Sequence, residues 1–429
     1  MIGRDPFLRP AEQEFLAETI VRLQDDIFTG PLNYDHFRAL DTNDETRSDW
    51  LEFVRRAGEH DLLGVAVPTE YGGAGLGYME TALVEEAIGY TGCIIHACQV
   101  SLTQHIGRTL YEHGSEYIKR TYLEPLLNGQ FVLGQAFTEP TVGTDLVRLQ
   151  TTAHRDGDSY ILSGEKRFID FAGYADILLV PARTSGEDGD REGISLFIVE
   201  TDTDSYQIRH RHSPEWHGFR GSDACWIEFD ELTVPAKNLV GTEGDAWSYI
   251  SREFALERVT VSRYCLGASE RALEIAANYT DARKVNEKPL SGYQGINHTL
   301  VTCVTKLDAA LLLNTRAART LDNHGLDAGR LEACMAKWYG NEVAYDVADA
   351  CIQFLGGIGT GSLYPIERIQ RDVRVGQFLG GATEVIKSIV QHDSYDILLS
   401  DDFDSRYVGA ELDGQPWDET PKRRRTSEY

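Results

Sequence analysis

The chain has 429 residues, 42% of them hydrophobic, and carries 68 acidic against 41 basic residues for a formal net charge of −27. Such a negative field argues against nucleic acid or anionic membrane as a partner. No stretch approaches the roughly 20 uncharged apolar residues of a membrane span, and a chain this long suits two or three packed units rather than one core. Only 9 of the basic residues are Lys and 32 are Arg; an acidic, Lys-poor surface suits a cytoplasm of high salt, where self-repulsion is screened. The start, Met1-Ile-Gly-Arg-Asp-Pro6, lacks the apolar core of a signal peptide. The seven cysteines form neither a C-x-x-C pair nor a zinc-spaced cluster, so no metal site is expected. They read as reduced, buried, small apolar residues of a cytoplasmic protein.

Residues 10 to about 130 are helical by period, with segments at 11–24, 50–60, 79–88, 94–111 and 116–127. Pro68, Tyr71-Gly-Gly73 and the Asn128-Gly129 pair mark the breaks. From Phe131 to Val240 the pattern changes to short β-rich runs at 131–137, 151–155, 160–162, 177–182, 194–199, 206–211, 224–229 and 232–234. So many short strands in so little chain predict a small barrel or sandwich. Long helices return at 246–278, 293–323, 328–355 and 384–399, with narrow apolar stripes that suggest a bundle. The expected fold is therefore α+β: an N-terminal all-α domain (1–130), a middle β-barrel domain (131–242) and a C-terminal four-helix bundle (243–399). A polar tail (400–429) follows, and its Lys422-Arg-Arg-Arg425 run reads as a solvated terminus.

One position in the first bundle helix breaks its pattern. Trp247, Ile250, Phe254, Val261, Cys265, Ala268, Ala272 and Ile275 recur at three- and four-residue steps along one face. The slot between Phe254 and Val261 is filled by Glu257. A carboxylate on a buried face is desolvated, which disfavours its charged form and suits a general base. Periodicity alone leaves open a Glu that pairs with Arg258 or reaches solvent at the edge of the stripe. His96 and His105 share a largely apolar helix and read as core or cavity-wall residues rather than metal ligands. Gly73-Ala-Gly-Leu-Gly77 and Gly357-Ile-Gly-Thr-Gly361 do not follow a strand in a βαβ unit, so neither is a dinucleotide fingerprint. No P-loop or G-x-S-x-G elbow is present.

The junction segments make the order of parts specific. The β region opens with Gln135-Ala-Phe-Thr-Glu-Pro-Thr-Val-Gly-Thr-Asp145 and continues with Gly164-Glu-Lys-Arg-Phe-Ile-Asp170. It closes with Gly218-Phe-Arg-Gly-Ser222 and Val234-Pro235. Downstream come Gln353-Phe-Leu-Gly-Gly-Ile-Gly359, Tyr364-Pro-Ile-Glu-Arg368, Arg371-Asp372 and Phe378-Leu-Gly-Gly-Ala-Thr-Glu384. His60-x-Leu-Leu-Gly64 and Pro68-x-Glu-Tyr-Gly-Gly-Ala-Gly75 precede them. In order and spacing, over about residues 10–395, this set resembles the acyl-CoA dehydrogenase family.

The resemblance implies a flavoprotein oxidoreductase that holds FAD between barrel and bundle, with an acyl-CoA thioester on the flavin's other side. Phe137, Thr138, Gly143 and Thr144 would meet the flavin rim and pyrophosphate, through hydroxyls and backbone N–H groups of a turn. Phe168 falls where the family places an aromatic beside the isoalloxazine. Arg283, in Tyr279-x-x-x-Arg283, and Gln294 would reach a neighbouring subunit's FAD, with Gln353, Gly356 and Gly357 at the same adenine end. A homodimer or homotetramer follows from that sharing. Most relatives carry the base as Glu in a Tyr-Glu-Gly-Thr segment, where this chain has Gly380. A subset, the isovaleryl- and long-chain-type dehydrogenases, has a small residue there and places the Glu on the helix bearing Glu257-Arg258. Glu257 is thus the expected base, with Arg258 and Gly380 on the substrate side. Glu384 is the rival carboxylate, at a position the family uses near the cofactor.

The implied reaction is α,β-dehydrogenation of an acyl-CoA to a trans-2-enoyl-CoA, in fatty acid or branched-chain acyl-CoA catabolism, with electron-transferring flavoprotein as the acceptor. Three departures bear on it. Asp170 and Phe171 stand where the family has a Thr, which binds flavin N5, and an Asn. Asn286-Glu287 replaces a Phe-Gly, and Ala382 replaces a Thr. Two alternatives therefore stay open: an oxidase or monooxygenase on the same fold, and a non-catalytic acyl-CoA-binding relative.

Overall fold

The computed structural model describes residues 8–29, 32, 47–212 and 215–398. The polar tail and its Lys422 run lie outside them. Helices α1 (Pro10–Arg22), α2 (Arg47–Glu59), α3 (Tyr78–Tyr90) and α4 (Ile94–His113) lead into a further helical stretch over 116–127. Helix α4 is buried along nearly its whole length, which its run of Ile, Ala, Cys, Val and Leu demands.

The middle of the chain forms β1 (Leu133–Gln135), β2 (Thr152–Asp156), β3 (Ser159–Ile169), β4 (Ile177–Arg183), β5 (Ile194–Glu200), β6 (Tyr206–Arg211), β7 (Cys225–Pro235) and β8 (Leu239–Val240). They make one sheet in the order β6-β7-β3-β2-β4-β5-β8, with β1 parallel to β4. The sheet coils about its own core, to which Leu162, Leu178, Phe197, Ile227 and Val234 contribute. No ladder joins its end strands β6 and β8, so the barrel is partly open. Strand β3 is longer than the sequence suggests because it runs through a register shift between Leu162 and Gly164. The runs 224–229 and 232–234 are likewise one strand, β7, which passes through Glu231 at φ +50°.

Strand β4 shows how barrel and helices are joined. Leu178 and Val180 face the barrel core, while Ile177 and Leu179 belong to the larger core shared with the helices. A strand covered on both faces reads as an unbroken apolar run, as Ile177–Ala182 does.

Helices α5 (Ala246–Ala282), α6 (Gln294–Ala328), α7 (Arg330–Leu355), α8 (Ile366–Gly376) and α9 (Thr383–Leu398) complete the chain. Helix α6 is continuous only across a break at Gly325, whose φ of +85° is a left-handed conformation that glycine adopts without strain. By length and composition α6 could cross a membrane, with a mean hydropathy of 1.2 in its most apolar window. It packs instead on α5 and α7, leaving that window only 22% buried. Asp322 on α6 caps α3 across the molecule, accepting hydrogen bonds from Tyr78 N at 2.6 Å and Met79 N at 3.1 Å. Helix α8 has no counterpart among the helical segments that periodicity marks in the sequence.

Candidate active site

Helix α5 is buried on every side from Ala255 to Glu270, not on a single face. Its charged residues Glu253, Arg258, Arg263 and Glu270 are enclosed along with Glu257. Arg263 is matched inside the bundle, donating to Glu86 Oε2 at 2.7 Å and to Thr315 Oγ1 at 2.9 Å. Burial and repulsion from Glu112 push the Glu253 carboxyl up to about 8. Burial alone therefore does not single out Glu257. Its position does.

Glu257, 7% exposed, faces a cavity of about 600 Å³ bounded by α4, α5, the segment from Gln135 to Leu146, the end of β3 and the turn before α9. Phe137, Thr138, Gly143, Thr144, Phe168, Asp170, Glu257, Arg258 and Gly380 all line it. Nine of the expected site residues are thus brought together from four separate parts of the chain. A Cβ built on Gly380 would lie 3.7 Å from Glu257 Oε1 and 3.6 Å from Arg258 Cγ, so the glycine and the helix carboxylate face one another. Glu257 Oε2 is enclosed and has no hydrogen-bond partner among the described residues.

The turn carrying Gly380 is fastened from three sides. Arg258 donates from Nε to Gly380 O at 3.2 Å and does not pair with Glu257. Lys337, on α7, donates to Gln377 O at 2.9 Å and Gly381 O at 2.5 Å. Ala382 N donates to Thr144 Oγ1 at 3.4 Å, which ties the turn to the β region. Burial first, and then the charge of Arg258, bring the Lys337 ammonium down to about 8. Lys337 carries no signature in the sequence, since a lysine on a long helix reads as solvated.

The segment carrying Thr138 and Thr144 is a tight turn closed by Glu139 N donating to Val142 O at 2.8 Å and Val142 N donating to Glu139 O at 3.2 Å. Glu139 anchors it from below. Its carboxylate accepts from Lys166 Nζ at 2.9 Å, Thr151 N at 2.9 Å and Thr151 Oγ1 at 2.6 Å. Both Glu139 and Lys166 are buried, and the cation with these donors holds the Glu139 carboxyl below its usual range despite desolvation. The spacing of the Gln135–Asp145 motif marks the turn but not this buried support.

Phe168, 45% exposed, stands at the cavity rim with its ring 5.1 Å from His212 and 5.7 Å from Trp216. Next to it Asp170 is half-buried, its Oδ1 enclosed and unpartnered among the described residues, and burial pushes its carboxyl up to about 6. These residues fit a flavin. A Cβ on Gly143 would meet nothing within 4 Å, and an unpartnered polar atom together with an exposed aromatic edge the same space. His105 also lines the cavity, with Nδ1 against Ser101 O at 2.7 Å, while His96 packs between Trp50 and Phe53.

Arg283, Gln294, Gln353, Gly356, Gly357 and Glu384 do not line this cavity. Arg283, Gln353, Gly356, Gly357 and Glu384 are exposed. All but Glu384 gather where α5 and α7 end and α6 begins, an end closed by the Tyr279 and Tyr364 rings 6.1 Å apart. There Asn286 and Glu287 form the tip of a hairpin, Lys284–Val285 against Lys288–Pro289, with φ of +49° and +62°. Elsewhere His210, His212 and Glu215 bring ligand atoms within 4.8 Å of one another. Arg167 and Arg209 line the same pocket, and their charge works against a cation.

Comparison with known proteins places this geometry. Residues 33–130, 134–232 and 244–394 match the N-terminal, middle and C-terminal domains of acyl-CoA dehydrogenase in turn. An acyl-CoA dehydrogenase of Bacillus subtilis is 34% identical over 79% of this chain and 88% of its own length. The rat mitochondrial short/branched chain specific acyl-CoA dehydrogenase is 30% identical over 82% of this chain and 81% of its own. The butyryl-CoA dehydrogenase structure from Megasphaera elsdenii superposes with a TM-score of 0.80 at 27% identity, covering 90% of this chain and 99% of that one. The chain belongs to the acyl-CoA dehydrogenase family and is an FAD-dependent oxidoreductase acting on acyl-CoA thioesters.

Proposed function

We propose that Glu257 is the base of the dehydrogenation, and the observation that carries this is its carboxylate facing Gly380 inside an enclosed cavity. The carboxylate takes a proton from the α-carbon of the acyl group. Gly380 presents its backbone N–H to the thioester carbonyl, where a hydrogen bond stabilises the enolate charge that develops. Arg258 and Lys337 act one step back by holding the turn, so that the donor needs little reorganisation as charge forms. Phe254, Val261 and Leu379 line the cavity with apolar surface that excludes water. Bound FAD supplies the acceptor for the β-hydride. The product is the trans-2-enoyl-CoA.

The same reading covers assembly, acceptor and location. The exposed Arg283, Gln353 and Gly356–Gly357 at the bundle's end, with exposed Val285, Val301 and Ile358 nearby in the chain, suit contact with a second subunit and its FAD. That supports a homodimer or homotetramer. Phe168 at the cavity rim offers electrons a short exit to an electron-transferring flavoprotein. All seven cysteines are free and buried, which suits a reducing cytoplasm. The enclosed Asp170 carboxyl favours a second reading, an oxidase that passes electrons to oxygen.

The test is anaerobic addition of straight and branched acyl-CoAs to the yellow enzyme. Bleaching of the flavin with slow return in air supports the dehydrogenase, and fast return supports the oxidase. Glu257→Gln is expected to keep FAD while bleaching slows by about 10²–10⁴-fold. Undiminished bleaching in that variant would refute the assignment.

A further inference from the structure

Resting on that reading, we propose that Tyr264 is the floor of the acyl cavity and confines the substrate to a plain alkyl acyl group of no more than about seven carbons. Ser101 Oγ of α4 and Thr260 Oγ1 of α5 are joined at 2.6 Å, and Cys98 of α4 lies against Tyr264 of α5. The two helices therefore run side by side in opposite directions. His105, Ser101 and Cys98 line the cavity in turn on α4, as Glu257, Val261 and Tyr264 do on α5. Among the described residues, none of α4 before Cys98 and none of α5 after Tyr264 lines it. The cavity thus ends where these two side chains meet, with the Tyr264 hydroxyl on the Cys98 thiol.

This floor is rigid. A Cβ on Gly89 of α3 would lie 2.1 Å from Tyr264 O, and a Cβ on Gly267 of α5 would lie 2.4 Å from Glu86 O. The backbones of α3 and α5 therefore touch at Tyr264 itself and one turn beyond it, a closeness that only the two glycines permit. Tyr264 is fully buried and Cys98 nearly so. A ring rooted in that contact and stopped at its tip by Cys98 has no room to swing aside. Extra methylenes would have to be forced into a close-packed interior.

The depth above the floor sets the length. Seven residues of helix separate Glu257 from Tyr264, about 10 Å along the axis. Contact between the acyl end and the ring takes about 4 Å of that, and an extended chain advances roughly 1.3 Å per carbon. About four or five carbons then fit beyond the α-carbon that Glu257 addresses. The chemistry of the end follows from its walls. Leu102, Val261 and Val375 line the cavity with apolar surface, and burial keeps the Cys98 thiol and Tyr264 hydroxyl in their neutral forms. A carboxylate end would meet no counter-charge at such a floor, whereas an alkyl end loses nothing there.

The experiment compares butanoyl-, hexanoyl- and decanoyl-CoA as anaerobic bleachers of the FAD-loaded enzyme and reads the second-order rate constants. The two short substrates are expected to exceed decanoyl-CoA by about a hundredfold or more. Tyr264→Phe, which keeps the ring, should keep that ratio. Tyr264→Ala, which removes the floor, should bring it close to one by speeding decanoyl-CoA. Calorimetric titration of Glu257→Gln with the same thioesters should place their affinities in the wild-type order. Decanoyl-CoA bleaching as fast as hexanoyl-CoA in the wild-type chain overturns the proposal, as does equal affinity for all three. So does a ratio that stays put in Tyr264→Ala or, should that variant not fold, in Tyr264→Leu. Each of these results leaves the assignment of Glu257 standing, whereas bleaching by none of the three overturns both.

Discussion

Arg258 donates from Nε to the carbonyl oxygen of Gly380 at 3.2 Å, so the residue beside the proposed base in sequence also holds the turn opposite it in space. Base and turn are thereby fixed relative to one another by a single side chain.

That link predicts a division between binding and rate. Arg258→Met should lower kcat for flavin reduction by about ten- to a hundredfold through loss of positioning, with FAD content unchanged. Arg258→Lys should recover little, because a lysine lacks the planar fork that reaches both Gly380 O and Cys334 Sγ. Stopped-flow reduction at saturating acyl-CoA measures it.

Gly380 has a φ of +63°, a region that disfavours residues with a Cβ. Gly380→Ala is expected to cost about 1 kcal/mol of stability and to crowd the Glu257 carboxyl, so activity should fall more than the melting temperature. Thermal unfolding and single-turnover bleaching on the same sample check both parts.

Lys337 and Asp170 give pH signatures of their own. The Lys337 ammonium lies down at about 8 in the fold, so it loses its proton there while the two carbonyls it grips remain. Between about 8 and the ordinary lysine value the unfolded chain binds more protons than the native one, so this group's contribution to stability rises with pH. The clamp nonetheless weakens, and flavin reduction should show an alkaline limb near 8 that Lys337→Met lacks.

The Asp170 carboxyl lies up at about 6, so from its ordinary value to 6 the native state holds the extra proton. Its contribution is therefore fully present at low pH and is lost as pH rises through 6. Asp170→Asn should raise the melting temperature at neutral pH by a few degrees, and the gain should vanish near pH 4. An unchanged difference across that range would remove Asp170 as its source.

We propose that the net charge of −27 is tuned to high salt. Screening then relieves self-repulsion, and the protein should melt at a higher temperature in molar KCl than in dilute buffer. Equal melting temperatures would dismiss the idea.

Much of this was legible in the sequence because it rests on periodicity or on motifs with fixed spacing. The long helix around Glu257 announced itself by its apolar steps, and Gly380 by its place after Arg371-Asp372. What stayed hidden shares one physical cause. Glu139, Lys166, Lys337, Arg263 and Glu85 are ionisable residues enclosed by partners, or left without them, far away in the chain. In sequence they cannot be told from solvated charges. The stripe on α5 was likewise too modest, since the helix, wrapped by α3, α4, α6 and α7, has no outer face from Ala255 to Glu270. Strands β3 and β7 read as shorter pieces because register shifts and the turn at Glu231 mimic strand ends.

The separation of Arg283, Gln353 and Gly356 from the cavity has a thermodynamic consequence. In an assembly where each flavin is gripped by two chains, cofactor retention and subunit association are linked by mass action. Dilution would then set oxidised FAD free, read as flavin fluorescence that passes an ultrafilter retaining the protein, well before any helix melts, and added FAD would drive the chains back together.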